Sequence, residues 1–124
     1  MAIPDYQKIM LPLLQHTNDG KVHTARELRR TLEDYFDLTT EEHQHLLPSG
    51  QQTTFQNRVA WAKTYLERAG LLKNIRRGHF TNTDRGREVI NSSVSRIDYK
   101  FLQRFPEFQA WRTTSHSDDN TVVF

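Results

Sequence analysis

A chain of 124 residues, 35% apolar and 26% charged, has the length of one domain and room for one modest core. It contains no cysteine, which excludes disulfides and thiolate chemistry. No run nears the ~18 apolar residues of a membrane helix, and the opening residues carry Asp5 and Lys8 within their apolar pattern, unlike a cleavable signal, so a cytoplasmic protein with no membrane partner is expected. The net charge of +2 is concentrated in one place: residues 73–87 hold Lys73, Arg76, Arg77, Arg85 and Arg87 against Asp84, while the flanking segments are each slightly acidic. A local basic patch on a near-neutral body points to a polyanionic partner.

Pro4 and Asp5 suit a first helical turn, and Tyr6, Ile9, Met10, Leu13 and Leu14 recur at the spacing of one buried helix face. Pro12 inside that pattern is expected to kink it. Asn18-Asp19-Gly20 forms a turn, followed by a short extended piece at Val22-His23. Thr24 to Glu27 reads as a capping box opening a helix whose apolar stripe is Leu28, Leu32, Tyr35 and Phe36. The same device at Thr39 to Glu42 opens a short helix closing near Leu46-Leu47, before Pro48-Ser49-Gly50.

The next helix is expected over Thr54 to Ala69. Phe55, Val59, Ala62, Leu66 and Ala69 share one face, Thr53 or Thr54 caps the start, and Gly70 supplies a left-handed stop. The opposite face carries Asn57, Ala60, Thr64 and Arg68, with Gln56 and Trp61 on the flanks. Amides and small side chains let a base edge approach, and Asn or Gln can offer adenine a paired donor and acceptor. Trp61 and Tyr65 are assigned to packing against a neighbouring helix.

Two short strands, Leu71 to Ile75 and Phe80 to Asn82, enclose Arg76-Arg77-Gly78-His79, where Gly78 provides the positive φ of a tight turn. Leu72, Ile75 and Phe80 are expected to face inward, and the tip arginines outward, since burying two unpaired guanidiniums is prohibitive. Thr83-Asp84 caps a helix running to Asn91. The order is mainly α with a small β-hairpin and matches a winged helix-turn-helix with an inserted short helix and extra C-terminal helices. The units read as a winged-helix DNA-binding domain over 1–91, a helical extension packed on it over 92–112 (with Ile97, Phe101, Leu102, Phe105 and Phe108 on one side), and a polar linker or tail over 113–124.

In a groove-docking arrangement, Thr53, Thr54, Gln56 and Asn57 lie nearest the bases, with Ala60 and Thr64 one turn behind and Arg68 beyond. Lys73, Arg76, Arg77 and His79 form the wing, and Lys63, Arg85 and Arg87 are secondary phosphate contacts.

The segments IPDYQKIMLPLL, LPSGQQTTFQNRVAWAKTYLERAGLL, RRGHFTNTDRGREVI and IDYKFLQRFPEF resemble, in order, the N-terminal domain of Mrr-like restriction proteins, over roughly residues 3–108. The resemblance implies a winged-helix reader of duplex DNA, methylated DNA included, that in the family precedes a C-terminal nuclease domain of the PD-(D/E)xK type cleaving DNA with methylated bases.

No nuclease site is legible in the chain. Metal-dependent cleavage needs an Asp and an acidic-x-Lys unit on neighbouring strands, whereas Asp98-Tyr99-Lys100 sits in a helical pattern. The six histidines form no HExxH, and there is no GxSxG and no phosphate-cradling glycine loop. The chain alone is therefore expected to be no enzyme and to need no cofactor or metal. Two other readings stay open: a winged-helix transcriptional regulator, which shares the same groove physics, and a protein-interaction or homodimerisation module using the Trp61/Tyr65 shoulder and the C-terminal aromatics. A small metal-dependent nuclease is the least favoured.

Overall fold

In the computed structural model, which describes residues 3–116, helices α1 (Tyr6–His16), α2 (Ala25–Tyr35), α3 (Thr40–Gln44), α4 (Thr54–Arg68), α5 (Asp84–Asn91), α6 (Tyr99–Leu102) and α7 (Pro106–His116) surround strands β1 (His23–Thr24), β2 (Leu72–Arg76) and β3 (His79–Asn82). The protein is mostly helical with a small antiparallel sheet in the order β1-β3-β2.

Helix starts follow the sequence closely. Asp5, Thr24, Thr39, Thr53, Thr83 and Asp98 each accept a backbone N–H of the first turn through their side chains, satisfying donors that a helix otherwise leaves orphaned. The reciprocal capping box is complete at Thr39 and Glu42. At Thr24 only the threonine half forms, a hydrogen bond from the Glu27 amide at 3.1 Å. Helix α1 runs unbroken through Pro12, which is buried with Leu13 and Leu14. The carbonyl that Pro12 leaves without an amide belongs to Lys8, on the exposed side of the helix, where water can replace the lost bond.

Helix α4 is the central element, packed along α1 and continuing toward β2. Phe55, Val59, Ala62, Leu66 and Ala69 are all buried, and Gly70 follows with φ of 81°, the left-handed residue that lets the chain reverse into β2. Each large side chain on this face contributes about 1.5–3 kcal/mol by burial, enough to fix which face of α4 is left for other work.

The sheet departs from the expected two-stranded hairpin in two respects. His23-Thr24 adds a third strand, pairing His23 with Phe80, while Val22 is 53% exposed. Ile75 is also 44% exposed rather than inward. Leu72 and Ile75 are three residues apart, so a regular strand sends them to opposite faces, and the irregularity between Asn74 and Arg76 does not restore Ile75 to the core. On α2, Leu28 and Leu32 are buried but Tyr35 is exposed, its ring edge-on to His16 and Phe36. Helix α3 ends at Gln44, short of the expected Leu46-Leu47, and Leu46 instead bridges Thr53.

The C-terminal helices share the core: Ile97, Leu102 and Phe108 are fully buried in the same cluster as Ile9 and Phe55. Tyr65 of α4 is the hub, with Tyr6, Phe108 and Trp111 ring centroids 4.9, 5.6 and 5.5 Å away in edge-on geometry, a favoured arrangement of ring quadrupoles. Burial raises the Tyr65 phenol pKa and pushes that of Tyr6 up to about 12. Helix α7 continues to His116, so Thr113–His116 is helical where a linker was expected. The remainder of the expected linker lies outside the described residues.

Candidate nucleic-acid interface

With one face of α4 in the core and its Trp61/Tyr65 shoulder against the aromatic cluster, the remaining surface carries Gln56, Asn57, Ala60 and Thr64, all half-buried. Gln56, Ala60 and Thr64 line a cavity that α4 shares with α2 and the hairpin turn. Thr53 caps the helix through its hydroxyl, accepting from the Gln56 amide at 3.1 Å. The Asn57 amide nitrogen donates to Gln52 Oε1 at 3.2 Å. Thr54, expected among the base readers, is only 6% exposed, and its hydroxyl lies 2.8 Å from His45 Nδ1. At the first position of the helix its side chain turns toward the end of α3, which removes it from the outer surface. Arg68 is exposed, its guanidinium carbon 5.4 Å from the Trp111 ring centroid. Arg58 points the other way and donates to the carbonyl oxygen of Ile3 at 2.8 Å, holding the N-terminal segment against α4.

The hairpin tip is built differently. Lys73, Arg76 and Arg77 are exposed and have no carboxylate partner among the described residues. Gly78 turns the chain with φ of 76°. Three contacts brace the turn. The Ala25 amide donates to the Gly78 carbonyl at 3.0 Å. His79 Nδ1 lies 3.0 Å from the Arg77 carbonyl oxygen. With the Asn74 amide oriented so that its nitrogen faces the carbonyls, it donates to the Arg76 and His79 carbonyls at 2.9 Å each. A short, cross-braced turn thus presents two free guanidiniums, donor forks suited to phosphate oxygens.

The three cations expected as secondary phosphate contacts are already engaged. Lys63 pairs with Glu67 at 2.8 Å and stands 5.0 Å over the Phe80 ring. Arg87 pairs with Asp84. Arg85 donates to the Ala69 carbonyl at 2.9 Å, pairs with Glu107 at 2.8 Å and lies over Phe105. It therefore ties the end of α4 to the start of α7. A cation that sequence reasoning missed is Arg29 of α2, which lines a cavity together with Gln52, Gln56 and Lys63. The Arg26-x-x-Arg29-Arg30 pattern was visible in the sequence, but Glu27, Glu33 and Asp34 balanced it in a tally along the chain.

No catalytic constellation comes together among the described residues. No group of three or more His, Asp or Glu side chains is placed to hold a metal ion. Asp98 caps α6, accepting from the Phe101 amide at 2.8 Å, so Asp98-Tyr99-Lys100 lies at a helix start and not on a strand. His43 pairs with Glu33 of α2 at 2.7 Å. No described helix is long and apolar enough to cross a membrane.

The described residues form a mostly helical fold with a three-stranded antiparallel sheet and a braced basic hairpin beside an amide-bearing helix. Residues 6–92 match the family model of the Mrr N-terminal domain, and the chain belongs to that family. It is similar to the type IV methyl-directed restriction enzyme EcoKMrr of Escherichia coli (strain K12), with 29% identity over 93 residues, and the match covers 74% of this chain but 30% of that enzyme. The chain thus corresponds to less than a third of this relative's length. No solved structure matches it.

Proposed function

We propose that the chain is the DNA-reading domain of an Mrr-like restriction endonuclease and works as a winged helix, with residues 1–91 as the reading unit and 92–112 as a packed helical extension. The observation that carries this reading is the pair of guanidiniums, Arg76 and Arg77, that have no carboxylate partner among the described residues, on a turn braced by Asn74, His79 and Ala25. Leaving two like charges side by side without a counter-ion is unfavourable for an isolated protein and favourable when phosphates approach.

In this reading α4 enters the major groove by its N-terminal half. Gln56 and Asn57 meet base edges, Thr53 lies at the entry, and Ala60 and Thr64 give clearance one turn behind. Lys73, Arg76, Arg77 and His79 hold the backbone. Thr54 plays no part, because His45 holds its hydroxyl in a buried position. Arg85 and Arg87 act within the fold. Lys63 and Arg68 remain close enough to the α4 surface to add to its potential. The partner is duplex DNA, methylated duplexes included, as the similarity to the methyl-directed restriction enzyme EcoKMrr suggests. A nuclease domain supplies cleavage in the working protein, which acts in the cytoplasm.

The test is a binding titration against short duplexes over 50–200 mM salt. Three phosphate contacts from Lys73, Arg76 and Arg77 give a log–log salt slope of about −3. Absence of duplex binding at the low-salt end rejects the reading, and incubation with plasmid and Mg²⁺ is expected to leave the DNA intact.

A further inference from the structure

A cavity of about 240 Å³ opens between α2, α4 and the hairpin turn. Leu28, Val59 and Phe80 form its floor, and all three are buried members of the core. Gln52, Gln56 and Arg29 stand among its polar lining, with Lys63 and Thr64 farther along α4. We infer that this cavity receives a single nucleobase turned out of the duplex. The inference rests on the DNA-reading role proposed above and specifies how that site would take its target.

Four features converge on this occupant. The volume lies below the ~300 Å³ typical of pockets for drug-sized ligands, which suits one planar ring system. The apolar floor offers the packing that an unstacked base requires, and side-chain amides are the groups that read a Watson–Crick edge. Gln56 makes no side-chain hydrogen bond within the described fold, and Gln52 uses only its oxygen, toward Asn57, so amide donors and acceptors remain for a ligand. The charges also fit. Arg29 has no carboxylate partner among the described residues, whereas the Lys63 ammonium is paired with Glu67, so Arg29 supplies the lining's positive charge for a phosphate flanking an extruded nucleotide. Finally, the cavity adjoins the recessed surface of α4 and the Gly78 turn, the two elements assigned to groove and backbone.

The occupant explains why the α4 surface is recessed rather than convex. A helix read only by groove insertion gains from protruding side chains, whereas Gln56, Ala60 and Thr64 are half-buried around a space that a flat ring can enter. Extrusion costs least at a mismatched position, where pairing is already lost.

The experiment uses the intact chain with two duplexes of one sequence, one fully paired and one with a central mismatch carrying 2-aminopurine, whose fluorescence rises on unstacking. The mismatched duplex should bind roughly tenfold tighter with a rise in fluorescence. Ala25→Phe, which fills the cavity from the α2 side, should remove both effects, the preference being read as the ratio of the two affinities within the same variant. A tenfold gain that survives Ala25→Phe in a folded variant, or wild-type binding with no fluorescence change, overturns the cavity assignment while DNA reading stands. Failure to bind either duplex overturns both. Should Ala25→Phe not fold, the wild-type fluorescence decides alone.

Discussion

Gly86 of α5 lies against the side chain of Asn82 so closely that a Cβ on Gly86 would overlap Asn82 Oδ1 and the Leu71 carbonyl oxygen. Asn82 is itself buried, and its amide nitrogen donates to Thr17 Oγ1 at 3.2 Å. The end of α1, the hairpin and α5 are thereby locked at one point. Gly86→Ala is expected to destabilise the domain by about 1–3 kcal/mol through overpacking, despite the ~1 kcal/mol that alanine gains over glycine in a helix. Adding Asn82→Ala should recover only part, because the Leu71 oxygen is backbone. Chemical denaturation measures both, and an unchanged midpoint for Gly86→Ala would contradict the close approach.

Replacing Arg76 and Arg77 together by alanine should weaken binding to every duplex and lower the magnitude of the salt slope by about two. Their exposure and lack of partners predict unaltered thermal stability. A salt slope equal to wild type removes the wing from the interface.

Asn57→Ala should change the preference among duplexes of different sequence or methylation while costing little affinity for a generic one. The side chain lies on the α4 surface, tethered to Gln52, so its loss also frees the Gln52 amide. Competition assays over a duplex panel test this, and equal losses on all duplexes argue against base readout by Asn57.

Arg85→Ala separates structural from binding cations. Loss of the bond to Ala69, the ion pair with Glu107 and the contact over Phe105 should destabilise the domain by about 1–3 kcal/mol and leave the salt slope at its wild-type value. A reduced slope with unchanged stability would return Arg85 to the phosphate contacts.

Glu107 predicts an acid limb. Its carboxyl is held below its ordinary pKa, first by a backbone amide at the start of α7 and then by Arg85. The folded state binds this proton less readily than the unfolded state does. The stabilisation is therefore present above the unfolded value and is lost as pH falls through the lower folded one. Thermal melts over pH 3–7 should show a shallower acid-side decline for Glu107→Gln than for wild type, and superimposable profiles would exclude the effect.

Local signals were legible where short-range chemistry governs. The threonine caps, the buried face of α4 from Phe55 to Ala69, and the Gly70 stop depend on residues within a few positions of one another. Errors arose where a neighbour distant in sequence, or strand parity, decided the outcome. Thr54 looked like a reader until His45 took its hydroxyl. Ile75 is expected inward, but its spacing from Leu72 puts it on the other strand face. Arg85 belonged to a basic run in the sequence but is tied to Ala69 and Glu107 in the fold.

The sequence by itself determined the element order, the threonine caps, the core face of α4, the basic hairpin tip and the resemblance to the Mrr N-terminal domain, because periodicity and charge along a chain are one-dimensional properties. Tertiary structure alone decided which cations are free. Lys63, Arg85 and Arg87 are paired with Glu67, Glu107 and Asp84, whereas Arg29, Arg76 and Arg77 have no carboxylate partner among the described residues. It also created the cavity joining Leu28, Val59 and Phe80, three residues from separate elements. Pairing and concavity depend on distances through space, and folding sets those only when α2, α4 and the hairpin close on one core.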